Sequence, residues 1–430
     1  MRNAIRQSSW LRFLLLAPAF ATPLAGCSSP STAATEVKSA KVRITAPVVD
    51  GSDQTTLATD DRHFAWDLYQ SVRATPGVDN LAFSPASISI ALAMVYGGAR
   101  GATATEMAAT LRFSLPPERL HPAFDALDLA LEAPVSDGTA FRLTLANAIW
   151  GELGLPLLPD YLDLLAENYG AGVHSVDFLR APDAARMTIN QWVSDQTNAK
   201  IPELLLPGSV DSGTELVLTN AVYFHADWQT PFAAMTHDGA FQAPTGSVQV
   251  PMMAGADGVM PGWSGAGYQA VSVPYVNPTG TTSMVLVVPD AGTFYAFEAG
   301  LTFDALEATL ATKPSTTFVL SMPRFKLQTS LDLAKTLAAM GMKTAFSGDA
   351  DFSGIDGARD LFIQDVVHQA MVAVDEKGTE AAAATAVTFT RASVQVATSL
   401  VVDRPFIFAI RDDATGTILF LGRVVDPSKS

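Results

Sequence analysis

The chain has 430 residues, of which 48% are hydrophobic and 16% are charged, so it can form a large apolar core. Its formal net charge of −16 argues against nucleic acid as the main partner, because phosphate binding needs clustered Lys and Arg. The same charge is consistent with a soluble protein, and we expect a monomer.

Residues 1–26 are typical of a secretory signal peptide, with three arginines before an apolar run and small residues at its end. The ending Leu-Ala-Gly-Cys at 24–27 resembles a bacterial lipobox, in which Cys27 is lipidated at its thiol and becomes the mature N-terminus. The alternative is ordinary cleavage that leaves a free thiol. Cys27 is the only cysteine, so we expect no intrachain disulfide in the exported protein.

The lipobox predicts a protein anchored to the bacterial cell envelope through a lipid on Cys27, or else released outside the cell. By resemblance to lipoprotein sorting, Ser28 favours the outer membrane of a two-membrane host. No later stretch has the uninterrupted apolar length of a membrane span, so we expect the chain not to cross the membrane.

Residues 27–55 are rich in Ser, Thr, Ala and Val, which predicts a flexible linker before a body over 56–430. The first helix is predicted at 63–73 from apolar residues at helical spacing. A short strand follows at 81–83. Ser84 is then the predicted N-cap of a second helix, with Pro85 in its first turn, and a third helix follows at 103–111.

Strands are predicted where apolar and β-branched residues cluster, and helices where apolar residues recur every three or four positions. Helices dominate the first half and strands the second, which is typical of α+β proteins. The predicted strands lie at 141–150, 214–228, 317–320, 406–410 and 417–424, and two further strands are predicted within 269–289. The predicted helices of this part lie at 159–168, 183–200 and 330–340.

The segment from Val374 to Ser393 has a divided preference. It begins with charged residues, Gly378 permits a backbone bend, and four alanines then stand between threonines and valine. Alanine favours helix, whereas threonine and valine favour strand. With a period of two, the face from Thr379 to Phe389 holds only small, then apolar, uncharged residues. From these residues alone, an Ala-rich linker or a short surface helix is an equal alternative.

Taken in order, seven segments resemble the serpin family over about residues 57–427, and the combination is far more specific than any one of them. They are FSPASISIALAM (83–94), TINQWVSDQTNAKI (188–201), LTNAVYFHADW (218–228), FSGDADFSGI (346–355), VVHQAMVAVDEKGTEAAAAT (366–385), RPFIFAIR (404–411) and TGTILFLGRV (415–424).

The resemblance implies one α+β domain with three β-sheets, about nine helices and an exposed reactive-centre loop. It implies a serine protease inhibitor that acts as a suicide substrate: the target forms an acyl-enzyme with the loop, and the cut loop inserts into the large sheet. The hinge and inserting loop would be Glu376, Gly378, Thr379, Glu380, Ala381, Ala382, Ala383, Ala384 and Thr385.

The residues of the loop themselves make insertion feasible. A Lys, Glu or Pro at Thr379, Ala381 or Ala383 would block it, because a charge would be buried or a ladder bond lost, and none is present. This favours an inhibitor over the alternative, a non-inhibitory serpin-fold binding or structural module at the cell surface.

The family's usual spacing from Gly378 places the scissile bond between Ala392 and Ser393, which suits elastase-like proteases with small pockets. Arg391 lies one residue earlier, and a cut before Ala392 suits trypsin-like proteases, whose pocket carries a carboxylate. Because the loop is slightly longer than is usual in the family, both bonds stay candidates. A cysteine protease is a further possible target class, since the trap needs only an acyl or thioacyl linkage.

Ser84, Ser87, Asn220 and His368 match the positions of a polar network under the centre of the large sheet in serpins, called the shutter. A serine–histidine grouping could instead indicate a hydrolase, but no G-x-S-x-G motif is present. Asp349 and its neighbours only partly match a calcium loop. We therefore predict no enzymatic activity, no cofactor and no metal site.

Overall fold

The computed structural model describes residues 34–75, 79–131, 140–232, 236–254, 259–277, 282–379 and 398–429. All of them fall within one compact unit, Thr32–Ser430. The predicted signal peptide, Cys27, the loop residues 380–397 and both candidate scissile bonds lie outside the described residues.

Ten α-helices lie in the described part of the chain. They are α1 (Gly51–Arg73), α2 (Pro85–Tyr96), α3 (Gly101–Thr110), α4 (Pro117–Leu131), α5 (Pro159–Tyr169), α6 (Pro182–Gln196), α7 (Phe294–Gly300), α8 (Phe303–Ala311), α9 (Leu333–Met340) and α10 (Ser353–Asp356). Their ends follow from local chemistry. Asp50 caps α1, Ser84 caps α2 through the Ser87 N–H, and Asp332 caps α9, each with its side-chain oxygen.

Seventeen strands accompany the helices over the same ranges. They are β1 (Thr35–Val37), β2 (Leu81–Phe83), β3 (Phe141–Glu152), β4 (Val173–Val176), β5 (Leu216–Asp227), β6 (His237–Ala243), β7 (Gly246–Ala254), β8 (Met260–Gly265), β9 (Tyr268–Pro274), β10 (Thr282–Pro289), β11 (Thr316–Pro323), β12 (Phe325–Asp332), β13 (Asp365–Val374), β14 (Gly378–Thr379), β15 (Thr398–Val401), β16 (Phe406–Asp412) and β17 (Ile418–Val424).

These strands form two sheets. The seven-stranded sheet has the order β1-β4-β3-β5-β14-β13-β12, and the ten-stranded sheet has the order β2-β17-β16-β10-β9-β8-β11-β7-β6 with β15 beside β11. Three sheets were predicted. The described strands form two because β11 pairs with β8 through its first residues and with β7 through its last, which joins two layers into one.

The central strands β5 and β13 of the seven-stranded sheet are almost entirely buried, whereas β1 and alternate residues of β12 are exposed. On its outer face, α6 packs Ile189 and Val193 against Val217 of β5 and Val367 of β13. On its inner face, Phe224 and neighbouring apolar residues meet the ten-stranded sheet. The α1–α5 helices and the adjoining part of the inner face form the largest apolar cluster. A polar side chain at the buried middle of β5 or β13 is costly unless it is hydrogen-bonded, and the Gln369 Oε1 of β13 has no partner among the described residues.

The expected flexible linker over 27–55 differs from the structure in its second half. Thr35–Val37 pairs antiparallel with β4, and α1 begins at Gly51 rather than near residue 63. Arg43 binds two carboxylates of α4, which fixes this segment on the body. The predicted helices at 183–200 and 330–340 are also shorter, since α6 ends at Gln196 and residues 330–332 belong to β12. No described helix has the length and apolar character needed to cross a membrane.

Candidate functional site at the centre of the seven-stranded sheet

The two central strands of the seven-stranded sheet pair with each other over only part of their length. β5 and β13 are parallel neighbours from the Val217–Asp365 pair to the Tyr223–Met371 pair. Beyond that level β14 lies between them and is antiparallel to both. Thr379 pairs with Ala226 of β5 and with Val374 of β13. Gly378 and Thr379 of the predicted hinge therefore form a two-residue strand at one end of the sheet.

Thr379 is fully buried beneath two stacked aromatic rings. Its hydroxyl shares a 2.6 Å hydrogen bond with the Tyr275 hydroxyl, and the ring of Tyr275 stacks on Trp228 at 4.4 Å. Trp228 donates its indole N–H to the Asp375 carbonyl at 2.9 Å. Burial raises the pKa of Tyr275 above its usual range, so the phenol stays protonated. This pocket accepts one small hydroxyl-bearing side chain and no charge.

Glycine is required at position 378 because β5 leaves no room for a side chain there. Its φ lies outside the left-handed region, so the bend expected from the sequence is not the reason for glycine here. A Cβ at this position would overlap the Ala226 carbonyl oxygen and lie 2.7 Å from the Asp227 Cα. The hinge backbone approaches β5 so closely that only glycine fits.

The turn that leads into β14 is held by two carboxylates. Asp375 accepts the backbone N–H groups of Lys377 at 2.8 Å and Gly378 at 3.3 Å. Glu376 accepts from the Arg324 guanidinium at 2.6–2.9 Å and from the Thr236 hydroxyl. Burial alone would raise the pKa of Glu376, but these hydrogen bonds outweigh it and hold the pKa below its usual value.

A polar network crosses the middle of the same sheet. His368 of β13 and Asn147 of β3 lie on either side of Asn220 of β5 in one row. The His368 Nδ1 contacts the Asn220 Oδ1, and the Asn220 amide donates to Asn147 Oδ1 and, at 2.6 Å, to the Ser87 hydroxyl. The Ser84 backbone N–H donates to His368 Nε2 at 3.2 Å. The network ties both central strands to the start of α2.

The hydrogen bonds determine the state of His368. Because Nε2 accepts from a backbone N–H, the ring proton is on Nδ1, where it is donated to Asn220. Burial lowers the pKa of His368 to about 3, so the ring is neutral at physiological pH. The histidine is a structural hydrogen-bonding group in this arrangement.

A hydrolase site is not assembled from these serines. The Ser84 hydroxyl accepts the Ser87 N–H as a helix cap, and only the Ser84 backbone contacts His368. The Ser87 hydroxyl donates to Asn147. A nucleophilic serine would need its hydroxyl on the histidine nitrogen. Among the described residues, no group of three or more His, Cys, Asp or Glu side chains is placed to hold a metal ion.

The structure thus brings Ser84, Ser87, Asn220 and His368 together and places Glu376, Gly378 and Thr379 at one end of the same strands. Their functional roles stay predictions. The sequence reasoning missed Asn147, Tyr275 and Arg324. Asn147 alone carried a signal, as the one polar residue on the odd-numbered face of the predicted strand at 141–150, which is otherwise apolar. Glu380 to Thr385, Arg391, Ala392, Ser393 and Cys27 lie outside the described residues.

Comparison with known proteins agrees with this geometry. A family model described as Serpin (serine protease inhibitor) matches residues 59–427. The leukocyte elastase inhibitor of Bos taurus is 40% identical over 387 residues, covering 86% of this chain and 99% of that protein. An uncharacterized serpin-like protein of Thermococcus kodakarensis is 39% identical over 85% of this chain and 84% of its own length.

Among solved structures, uncleaved ovalbumin superimposes with a TM-score of 0.77 and 30% identity, covering 86% of this chain and 100% of that one. The fold predicted from the seven sequence segments is confirmed.

Proposed function

Because this chain belongs to the serpin family of serine protease inhibitors, we propose that it inhibits a serine protease outside the cytoplasm by acting as a suicide substrate. It is an inhibitor and not an enzyme, in keeping with its family and with relatives named as inhibitors. The observation that carries the proposed mechanism is β14, since the hinge already occupies the first two positions of a strand between β5 and β13.

The register of β14 predicts where the inserted loop would lie. Thr379 is opposite Ala226 and Val374, and each later loop residue would move one residue down both neighbouring strands. Thr385 would then lie between Asn220 and His368. Insertion separates these two partners, and the Thr385 hydroxyl would supply a new hydrogen-bonding group between them.

The same register explains the composition of the loop. Ala381 would lie on the inner face between Phe224 and Val372, where the two sheets pack together. Ala384 would lie on the outer face beside Ala221, which packs in the cluster under α6. The inner face is buried, so the small uncharged side chains of Ala381 and Ala383 would enter without a large cost of desolvation, whereas Glu380 would lie on the outer face between the half-buried His225 and Ala373.

Insertion would replace the parallel pairing of β5 with β13 by two antiparallel ladders. Antiparallel pairing is slightly more stable per residue, and one extra strand adds a second row of backbone hydrogen bonds. This difference supports a resting state that lies above the inserted state in free energy.

The reaction with the protease would proceed at the Ala392 carbonyl. The protease serine attacks this carbon, the bond to the Ser393 nitrogen breaks, and the amine leaves with the C-terminal fragment. The thirteen residues from Glu380 to Ala392 would then form the inserted strand. Insertion would move the acyl ester on Ala392 by roughly 40 Å from the end of the sheet at which Thr379 lies. The similarity to leukocyte elastase inhibitors supports Ala392 and a small-residue pocket in the target. Arg391 with a trypsin-like protease is the second candidate.

The location of the protein is part of the proposal. A lipid on Cys27 would hold the inhibitor on the cell envelope as a monomer facing secreted proteases. Replacing the cysteine, Cys27→Ser, should move the protein from the detergent phase to the aqueous phase in a Triton X-114 partition. Equal partition of both forms would remove the lipid anchor from the proposal.

The inhibitory function is tested on a gel. The protein without its signal peptide is mixed with elastase-, trypsin- and subtilisin-type proteases. We expect a complex that survives boiling in SDS and a C-terminal fragment whose mass corresponds to an N-terminal Ser393. The Arg391→Ala variant should keep the elastase complex. Cleavage of the loop without any complex would instead support the non-inhibitory binding module.

A further inference from the structure

The N-terminal segment of residues 34–50, which we call the strap, is bound to the body at several independent points. β1 forms the outer edge of the seven-stranded sheet through three residue pairs with β4. The Ile44 N–H donates to the Glu167 carbonyl of α5 at 2.9 Å, and the Lys38 amine donates to the Gly170 carbonyl. The family match begins at residue 59, so the strap lies outside the part that the family model covers.

Arg43 makes the most buried contact of the strap. Its guanidinium binds Asp125 at 2.8 Å and Asp128 at 2.6 Å, both on α4. The side chain of Asp125 is 0% exposed and that of Arg43 is 18% exposed. Burial raises the pKa of both carboxyls although Arg43 opposes this. Two buried carboxylates on one helix face are costly unless a cation pairs with them, and Arg43 of the strap supplies this cation to α4.

The body also leaves room for the strap backbone. Gly172, just before β4, has no side chain at the point where the strap crosses. A Cβ at this position would overlap the Val37 carbonyl oxygen and lie 3.1 Å from the Glu36 Cγ. The body therefore has two independent features that match the strap. Gly172 leaves space for its backbone, and the carboxylates of α4 bind Arg43.

The strap connects two parts of the molecule that sheet opening would move apart. Inserting a strand between β5 and β13 displaces β5, β3 and β4 together, because these strands are hydrogen-bonded in that order. α4 packs on α1 in the main core, and Tyr161 of α5 donates to the Met94 carbonyl of α2. β1 therefore moves with the sheet edge, while Arg43 and Ile44 hold the helices.

We infer that the strap is a restraint on the opening of the seven-stranded sheet, with Arg43 as its main fastening, and that it sets how long the resting inhibitor survives before spontaneous insertion. The inference rests on the proposed loop insertion. Its contacts belong to the closed sheet, and opening breaks or rearranges them. Loss of the strap contacts therefore lowers the barrier to opening of the sheet. It does not stabilise the inserted state.

The test measures the uptake of a synthetic peptide with the sequence of residues 379–389, followed by native gel and by Trp fluorescence. Arg43→Met keeps the aliphatic stem but removes the charge, and Gly172→Ala displaces the strap backbone with no change of charge. The control is Lys41→Met, in the same strap, because Lys41 is 49% exposed and pairs only with Asp163 and Glu167.

We expect both Arg43→Met and Gly172→Ala to take up peptide at least about tenfold faster than the wild type. Arg43→Met removes the buried ion pair, and Gly172→Ala displaces the backbone that positions it. Lys41→Met should stay within about twofold. The melting temperature of the loop-cleaved form should change little in all three variants.

Equal uptake rates in the wild type and both strap variants would overturn the restraint while leaving loop insertion intact. Equal loss of stability in the resting and cleaved forms would make the strap an ordinary structural element and would also overturn it. If the wild type forms no protease complex and takes up no peptide, the proposed function itself fails. Should Arg43→Met not fold, Gly172→Ala carries the same comparison.

Discussion

The hydroxyls of Tyr275 and Thr379 are joined by a 2.6 Å hydrogen bond inside the sheet, although Thr379 is the last described residue before the loop. The last described residue before the loop is therefore held in a buried, hydrogen-bonded position. This arrangement makes Thr379 the first residue that any further insertion depends on.

Replacing Thr379 by arginine should convert the inhibitor into a substrate. Thr379 is 0% exposed and its hydroxyl is bonded to the Tyr275 hydroxyl, so an arginine at this position would bury a charge. We expect the loop to be cut at a normal rate while the SDS-resistant complex falls at least about tenfold, as a buried charge costs several kcal/mol. Thr379→Ser keeps the hydroxyl and should inhibit like the wild type. An undiminished complex with Thr379→Arg would contradict this account of the hinge.

Replacing Gly378 by alanine should expel the hinge from the sheet. The new Cβ would overlap the Ala226 carbonyl, which is backbone and cannot move aside easily. We expect slower loop insertion, more turnover of the inhibitor as a substrate, and loss of the Trp228 contact that is visible in fluorescence. Gly348→Ala is the matched control, because nothing lies within 4 Å of a Cβ there. Identical behaviour of the two variants would show that the close approach at Gly378 has no functional consequence.

The Glu376–Arg324 pair should stabilise the hinge turn. The contact is bidentate at 2.6–2.9 Å, but Arg324 is 48% exposed, so a double-mutant cycle of Glu376→Gln with Arg324→Met should give a coupling of about 1 kcal/mol. The pKa of Glu376 is below its usual value of 4.5, so this stabilisation is present above pH 4.5 and is lost as the pH falls through the lowered pKa. A coupling energy near zero at pH 7 would exclude a role for the pair.

His368→Ala should weaken the centre of the sheet. Removing the ring leaves Asn220 and the Ser84 N–H without their buried partner, which costs about 1–3 kcal/mol. We expect a lower melting temperature together with faster spontaneous insertion or polymerisation, measured by native gel after mild heating. An unchanged melting temperature and inhibition rate would argue against the network.

The same histidine predicts a pH dependence. His368 has a pKa of about 3 in the folded protein against 6.5 for a free side chain, so only the unfolded chain binds this proton between those values. The stability that neutral His368 contributes is therefore lost from pH 6.5 downward at about 1.4 kcal/mol per pH unit. Urea unfolding at pH 7.5 and 5.5 should show a smaller acid loss for His368→Asn than for the wild type. The same slope in both proteins would rule out His368 as its source.

The amino-acid sequence by itself determined the family and the N-cap of α2, and it predicts the position of the hinge. These depend on residues close together in the chain: Ser84 with Pro85 begins a helix, and the run after Gly378 has small, uncharged side chains on the face that begins at Thr379. The strand preference and the absence of charge on the Thr379 face could also be predicted from neighbouring residues in the sequence. The linker prediction was wrong for residues 34–50. Arg43 binds Asp125 and Asp128, which are 82 and 85 residues away in the chain, and no local pattern indicates these contacts.

Only the tertiary structure decided how the hinge is held. Tyr275, Arg324 and Asn147 are distant in sequence from Thr379, Glu376 and Asn220, and only the tertiary structure places them in contact. It also showed that Gly378 is required for a close approach to β5, a requirement that no local pattern expresses. Burial then turned His368 from a titratable residue into a neutral one, since a pKa depends on the solvent that the rest of the fold removes.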